Sequence, residues 1–178
     1  MSALATATIE RVAALAQVTL RAAPETGVVE RIGRALGAPL PLDPNRVRVS
    51  ATGRRAVLWM GPDEWLIVDE DRAAAAAIEG AVRGAAGDGF VVTVDVSENR
   101  VAFDVGGPAA RDLLEGGITV DLHPRVFVAG SCAQTLLARA SVLLWQRTDD
   151  PSYRLFVRPS YSAYLEAWLE DGRAALGW

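Results

Sequence analysis

The sequence predicts an α+β fold built from repeated strand-strand-helix units, with sheets that are antiparallel or mixed. Three observations carry this reading. Short apolar runs alternate with segments of helical period, Gly, Pro, Asn and Asp punctuate them, and the connections between strands are too short for parallel crossovers. With 178 residues, 51% of them hydrophobic and 22% charged, the chain can bury a sizeable core and is too apolar for a disordered tail. We expect a single domain over residues 1–178, or two intertwined lobes, since no linker divides the chain.

Gln17–Ala22 reads as a first strand. Glu25–Leu36 places Val28, Val29, Ile32 and Leu36 on one helical stripe before Gly37 and two prolines end it. After the connector APLPLDP, Arg46–Ser50 and Arg54–Met60 read as strands, and Gly61-Pro62-Asp63-Glu64 supplies a tight reversal into Trp65–Asp69. Asp71 and Arg72 open an alanine-rich helix expected to run to about Arg83, where Gly84, Gly87 and Gly89 stop it. Phe90–Val96 and Arg100–Val105 flank the polar turn Ser97-Glu98-Asn99 as a second strand pair, and Gly107-Pro108 starts a helix Ala109–Glu115. The unit recurs near the C-terminus. There Ala133–Ala140 and Val142–Gln146 are strand-like, Asp149-Asp150-Pro151 turns the chain into Tyr153–Val157, and Ser160 caps a helix Tyr161–Ala175.

Charge removes several partners. Eighteen basic residues, all arginine, against 22 acidic ones leave a net charge of -4, so no positive field exists for nucleic acid or an anionic membrane. The lone Cys132 cannot form an internal disulfide, and with one histidine, His123, the zinc-ligand sets are missing. The N-terminus lacks a basic n-region and meets Glu10 and Arg11 early, so no signal peptide is expected. No apolar run reaches transmembrane length, and a cytoplasmic protein follows as the expectation.

Chemical motifs are sparse. The glycines of Gly84-Ala-Ala-Gly87-Asp-Gly89 follow a helix and lead into a strand, the reverse of a dinucleotide fingerprint. Asp121 could orient His123 as a base, but a histidine beside proline in a turn reads better as a loop anchor. Cys132 opens an apolar strand and behaves as a small hydrophobe. The carboxylate pairs at Asp63-Glu64, Asp69-Glu70-Asp71 and Asp149-Asp150 sit at turns or helix starts, where solvation and the helix dipole account for them. Trp59 and Trp65 bracket the Gly-Pro-Asp-Glu turn, while Tyr161, Tyr164 and Trp168 share helical spacing. Both sets suit a core or a protein interface.

An ordered set of blocks is more specific. Leu58-Trp-Met-Gly-Pro-Asp-Glu-Trp-Leu66, Asp95-Val-Ser97, Arg100-Val-Ala-Phe, Gly107-Pro108-Ala-Ala-Arg-Asp, Asp121-Leu-His-Pro-Arg125 and Cys132-Ala-Gln-Thr-Leu136 resemble the gamma subunit of heterotetrameric sarcosine oxidase. That family is in turn similar to the folate-binding domain of the glycine-cleavage aminomethyltransferase, whose motifs match Asp95, Ser97, Gly107, Pro108 and Ala110. The resemblance implies that fold. It also implies a heterotetramer with alpha, beta and delta subunits that oxidatively demethylates sarcosine to glycine. FAD, FMN, NAD, tetrahydrofolate and zinc would lie in those partner subunits, with none in this chain.

One departure bears on function. The aminomethyltransferases carry a Gly-Gly and a pair of Asp residues on the strand where this chain reads Ala138-Arg-Ala-Ser-Val-Leu-Leu-Trp145, which has no carboxylate. Valine or serine cannot supply the charge that serves a pterin. We therefore expect a non-catalytic subunit with no catalytic, cofactor-binding or metal-binding residues of its own. Its candidate partner contacts are Trp59, Pro62, Asp63, Trp65, His123, Arg125, Tyr161 and Trp168. The alternatives are a stand-alone folate-binding or aminomethyltransferase-like one-carbon protein, and an adaptor unrelated to amine oxidation.

Overall fold

The stripe Val28, Val29, Ile32 and Leu36 is buried on one face of helix α1 (Val28–Leu36). Gly37 ends that helix in the left-handed region, φ 66°, its N–H donating to the Arg34 carbonyl at 3.2 Å while the Ala38 N–H reaches back 3.1 Å to the Gly33 carbonyl, so two orphan carbonyls are satisfied by backbone alone. The structure, a computed structural model, describes residues 6–24 and 27–176. Glu25, where the sequence starts this helix, lies outside them.

The chain forms two compact units. One is Ala14–Glu98; the other joins Met1–Ala13 to Asn99–Trp178. In the first, β2 (Ala16–Ala22), α1, β3 (Val47–Val49), β4 (Arg55–Gly61), β5 (Glu64–Asp69), α2 (Ala75–Ala86) and β6 (Val91–Asp95) follow one another. Their sheet has the order β3-β4-β5-β2-β6, and each pairing is antiparallel. Ile32 and Leu36 of α1 and Ile78 and Val82 of α2 pack over Val18, Leu20, Val57, Trp65 and Ile67 of the sheet. Each large side chain so covered contributes about 1.5–3 kcal/mol. Arg31 locks the two helices together, its Nε and Nη2 donating to the Ala85 and Ala86 carbonyls at 3.0 Å, where α2 has no further turn to satisfy them.

The second unit repeats this topology. It contains β7 (Val101–Gly106), α3 (Ala110–Glu115), β8 (Cys132–Leu137), β9 (Ala140–Thr148), β10 (Ser152–Val157) and α4 (Ser162–Leu176). Its outer strand, β1 (Thr8–Arg11), comes from the N-terminal end, giving the antiparallel order β1-β7-β10-β9-β8. Position for position this is the order of the first sheet, a βαββαβ arrangement with one extra edge strand in each copy. Leu113 and Leu114 of α3 and Leu165 and Leu169 of α4 cover Phe103, Val105, Leu144 and Leu155.

Several sequence expectations are corrected. The strands on either side of Ser97-Glu98-Asn99 are not partners: β6 pairs with β2, and β7 pairs with β1 and β10 in the other unit. The turn passes the chain from one sheet to the next. The strand-strand-helix runs β4-β5-α2 and β9-β10-α4 are present as expected, each set within a larger split βαββαβ unit, and of the two sheet types expected the antiparallel one is found. β1, short and mostly exposed, was not foreseen. The run Ala133–Ala140 breaks after Leu137, where Ala138 takes φ 51° and reverses the chain into β9. α2 continues through Gly84 to Ala86. Pro108 precedes α3 by a turn rather than occupying its first position, and a 3-10 turn over Pro159–Tyr161, not a Ser160 cap, leads into α4.

Candidate partner-docking surfaces

The β4–β5 hairpin places Trp59 directly opposite Trp65. Their fates differ. Trp65 is fully buried beneath α1 and α2, and its indole Nε1–H donates to the Pro41 carbonyl at 2.7 Å, so this ring is core and offers no surface to a partner. Trp59 is half-buried at the end of the strand, its N–H donating to the Arg46 carbonyl at 3.0 Å. Pro62 and Asp63 are exposed at the tip, beside an ion pair of 3.1 Å between Arg21 and Glu64.

His123 and Arg125 lie on a loop pinned by the buried side chains of Leu122 and Phe127. Asp121 Oδ1 accepts the His123 N–H at 2.8 Å, and His123 Nδ1 accepts the Arg125 N–H at 3.2 Å. The His123 carbonyl takes two more N–H groups, from Val126 at 2.8 Å and Phe127 at 3.0 Å. Asp121 Oδ1 and His123 Nδ1 thus both serve to shape the loop. Cys132 is buried in β8.

On α4 the aromatic stripe divides. Tyr161 and Tyr164 are exposed, but Trp168 packs on the core of its unit. Its ring lies so close to Gly117 that a Cβ there would stand 2.5 Å from it. Trp168 is thereby a packing residue whose partner must be glycine.

Three aspartates, Asp104, Asp69 and Asp95, are held by their neighbours. Asp104 of β7 receives Arg154 at 2.7 and 2.8 Å and Arg147 at 2.8 Å, both guanidinium groups lying near the Trp145 ring. Burial would raise the pKa of Asp69, yet the Asp71 N–H, Arg55 and Arg54 outweigh it and hold the carboxyl below its usual range. Asp95 is also held low, first by the Ser97 hydroxyl and N–H, with desolvation opposing and Arg72 assisting. The Ser97 hydroxyl in turn accepts the Gln17 N–H at 2.9 Å, so the Asp-x-Ser motif ends β6 and ties it to β2. Among the described residues no three His, Cys, Asp or Glu side chains gather to hold a metal ion, and no helix is long and apolar enough to cross a membrane.

What the sequence did not foresee is an apolar edge. Phe90 is 83% exposed, and Val92 and Val94 of β6 are 41% and 50% exposed. V-V-T-V is apolar on both faces, so its sequence does not tell an edge from a central strand, and the sheet order puts it at a margin. A second apolar feature is a groove of about 380 Å³ beside α1, lined by Val29, Gly33, Ala38, Leu40 and Leu42.

Fold and surface together define a two-copy βαββαβ scaffold with exposed apolar side chains along one sheet edge. Comparison with known proteins gives this class its family. The model of the sarcosine oxidase gamma subunit family matches residues 21–175, and the chain belongs to that family. It is 36% identical over 170 residues to the sarcosine oxidase subunit gamma of Corynebacterium sp. (strain P-1), covering 96% of this chain and 81% of the relative. A solved chain of the heterotetrameric sarcosine oxidase from Corynebacterium sp. U-96, in complex with pyrrole 2-carboxylate, superposes with a TM-score of 0.86 at 34% identity, over 97% of this chain and 86% of that one. The glycine cleavage system aminomethyltransferase T from Bartonella henselae gives a TM-score of 0.66 at 11% identity, over 93% of this chain and 45% of that one, a likeness of fold alone.

Proposed function

We propose that this chain is a non-catalytic gamma subunit that stabilises a cytoplasmic heterotetrameric oxidase converting sarcosine to glycine. It assembles with alpha, beta and delta subunits, which carry the FAD, FMN, NAD, tetrahydrofolate and zinc. The observation that carries this reading is the family match along nearly the whole chain, joined to the structural employment of its reactive side chains. His123 Nδ1 anchors a turn, Cys132 is buried, and Asp104 is held by two arginines.

A folate does not fit these residues. The stretch 138–145 has no carboxylate, and Asp104 on the same sheet is already joined bidentately to Arg154. Freeing it for a pterin would break a bidentate ion pair with a buried guanidinium. The rival reading, a stand-alone folate-binding protein, is separated by melting the purified chain with saturating tetrahydrofolate. A ligand that prefers the native state must raise the midpoint by mass action. We expect no shift and no sarcosine turnover; a dose-dependent rise would favour the rival.

A further inference from the structure

We infer that the free edge of β6 receives an extended, apolar segment of one of the larger oxidase subunits as an added strand. The inference rests on the assembly reading above and names the surface through which it works.

Backbone geometry sets the kind of occupant. The Val96 N–H donates to the Gln17 carbonyl at 2.8 Å, and Val94 and Val92 stand opposite Thr19 and Arg21. In an antiparallel ladder alternate residues turn their N–H and C=O groups to the same side, so Val92 and Val94 point theirs at β2 while Val91, Thr93 and Asp95 point theirs outward. Among the described strands β6 pairs with β2 alone. A row of outward donors and acceptors calls for another extended backbone.

The side chains set its character. Phe90, Val92 and Val94 alternate along the edge and are all exposed. Edges left in water are normally defended by Lys, Pro or a bulge, and Val91–Val94 contains none of these. An apolar strand with its own side chains alternating over these three fits the face. Charge marks the ends: Asp88 precedes β6, and Asp95 and Glu98 close it, both ion-paired to Arg72 at 3.7 and 3.0 Å. Carboxylates at both ends of the strand favour a segment with basic residues flanking its apolar run.

Size argues for a larger partner over a second copy of this chain. Five strand residues span roughly 17 Å, and at a strand spacing of about 5 Å the strip they offer covers on the order of 100 Å², well short of the ~1,200 Å² that a stable self-contained interface buries. Such an edge holds a segment whose parent body makes further contacts.

The test uses the chain co-expressed with the alpha, beta and delta subunits, with affinity read from reassembly on an immobilised tagged chain. The Thr93 N–H points away from β2, so Thr93→Pro removes an outward donor and spares the internal ladder. Val94→Lys and Phe90→Asp place charge on exposed positions with no core role, and Val49→Lys on the opposite edge strand is the control. Thr93→Pro and Val94→Lys should each weaken assembly at least about tenfold, with melting midpoints within about 3 °C of wild type and Val49→Lys unaffected. Full-strength assembly by folded Val94→Lys and Phe90→Asp variants overturns the inference, as does a dimer of the isolated chain that these substitutions dissolve. A wild-type chain that fails to bind any subunit would sink the assembly reading itself, a result distinct from the first.

Discussion

Arg154 on β10 stands directly opposite Asp104 on β7, and the two side chains meet fork to fork, Nε to Oδ1 at 2.7 Å and Nη2 to Oδ2 at 2.8 Å. Arg154 is buried, so the pair anchors the interior of its sheet and keeps Asp104 engaged. Arg154→Ala leaves the carboxylate with Arg147 alone and should cost about 2–4 kcal/mol. The double variant Arg154→Met, Asp104→Leu should recover most of that loss. Urea denaturation decides; a loss below about 0.5 kcal/mol in Arg154→Ala would mean the pair is ornamental.

Trp168 against Gly117 separates core from interface. If the ring is a packing element, Trp168→Ala destabilises the chain by about 3 kcal/mol. Gly117→Ala, which drives a methyl into the indole, costs about 1–3 kcal/mol. Combining Gly117→Ala with Trp168→Leu should cost less than the two single changes added together. Equal stability of Trp168→Ala and wild type would return this residue to the list of partner contacts.

Asp69 gives the chain an acid limb. Its folded pKa lies below the ordinary carboxylate value, so between the two the unfolded state holds more protons, and stability rises with pH through that window. The contribution is complete above the unfolded value and is lost as pH falls through the folded one. Melting midpoints taken from pH 6 down to about 2.5 should therefore fall less steeply in Asp69→Asn than in wild type. At neutral pH Asp69→Asn should already be less stable, by about 2–4 kcal/mol, because Arg55 loses its partner. Parallel acid limbs in the two proteins would contradict this origin.

His123 tests the absence of catalysis. His123→Ala removes one turn contact of 3.2 Å and should change stability by about 1 kcal/mol. In the assembled oxidase we expect kcat for sarcosine within about twofold of wild type. A hundredfold fall in kcat with assembly intact would make the ring part of the reaction.

The sequence made its hairpins legible where turn chemistry was local. Gly61-Pro62-Asp63-Glu64 predicts a reversal between two apolar strands, and β4 and β5 pair there in register. The stripe on α1 was equally plain because 3.6-residue periodicity is a property of the segment itself. Ser97-Glu98-Asn99 misled for the same reason. Its polar residues suit a turn, but the partners of β6 and β7 lie some 75 and 50 residues away, at Val18 and Leu155, and nothing local encodes them. β1 escaped notice because Thr-Ile-Glu-Arg at a sheet margin has one half-buried side chain and no alternation worth reading.

The candidate contacts were legible unevenly. Pro62, Asp63, His123, Arg125 and Tyr161 are at the surface, as turn and loop residues tend to be, whereas Trp65 is wholly inside. An aromatic residue reads alike in either place. Phe90, read only as the start of a strand, was not among the candidate contacts because its exposure follows from where β6 lies in the sheet, and sheet order is a long-range fact.

The most direct measurement is size-exclusion chromatography of the tagged chain co-expressed with alpha, beta and delta subunits, followed by both protein and flavin absorbance. The account predicts one peak holding all four polypeptides and the flavin colour, with the oxidase less stable when this chain is omitted. An oxidase that assembles, keeps its flavins and melts unchanged without it, while the chain elutes alone, would contradict the account.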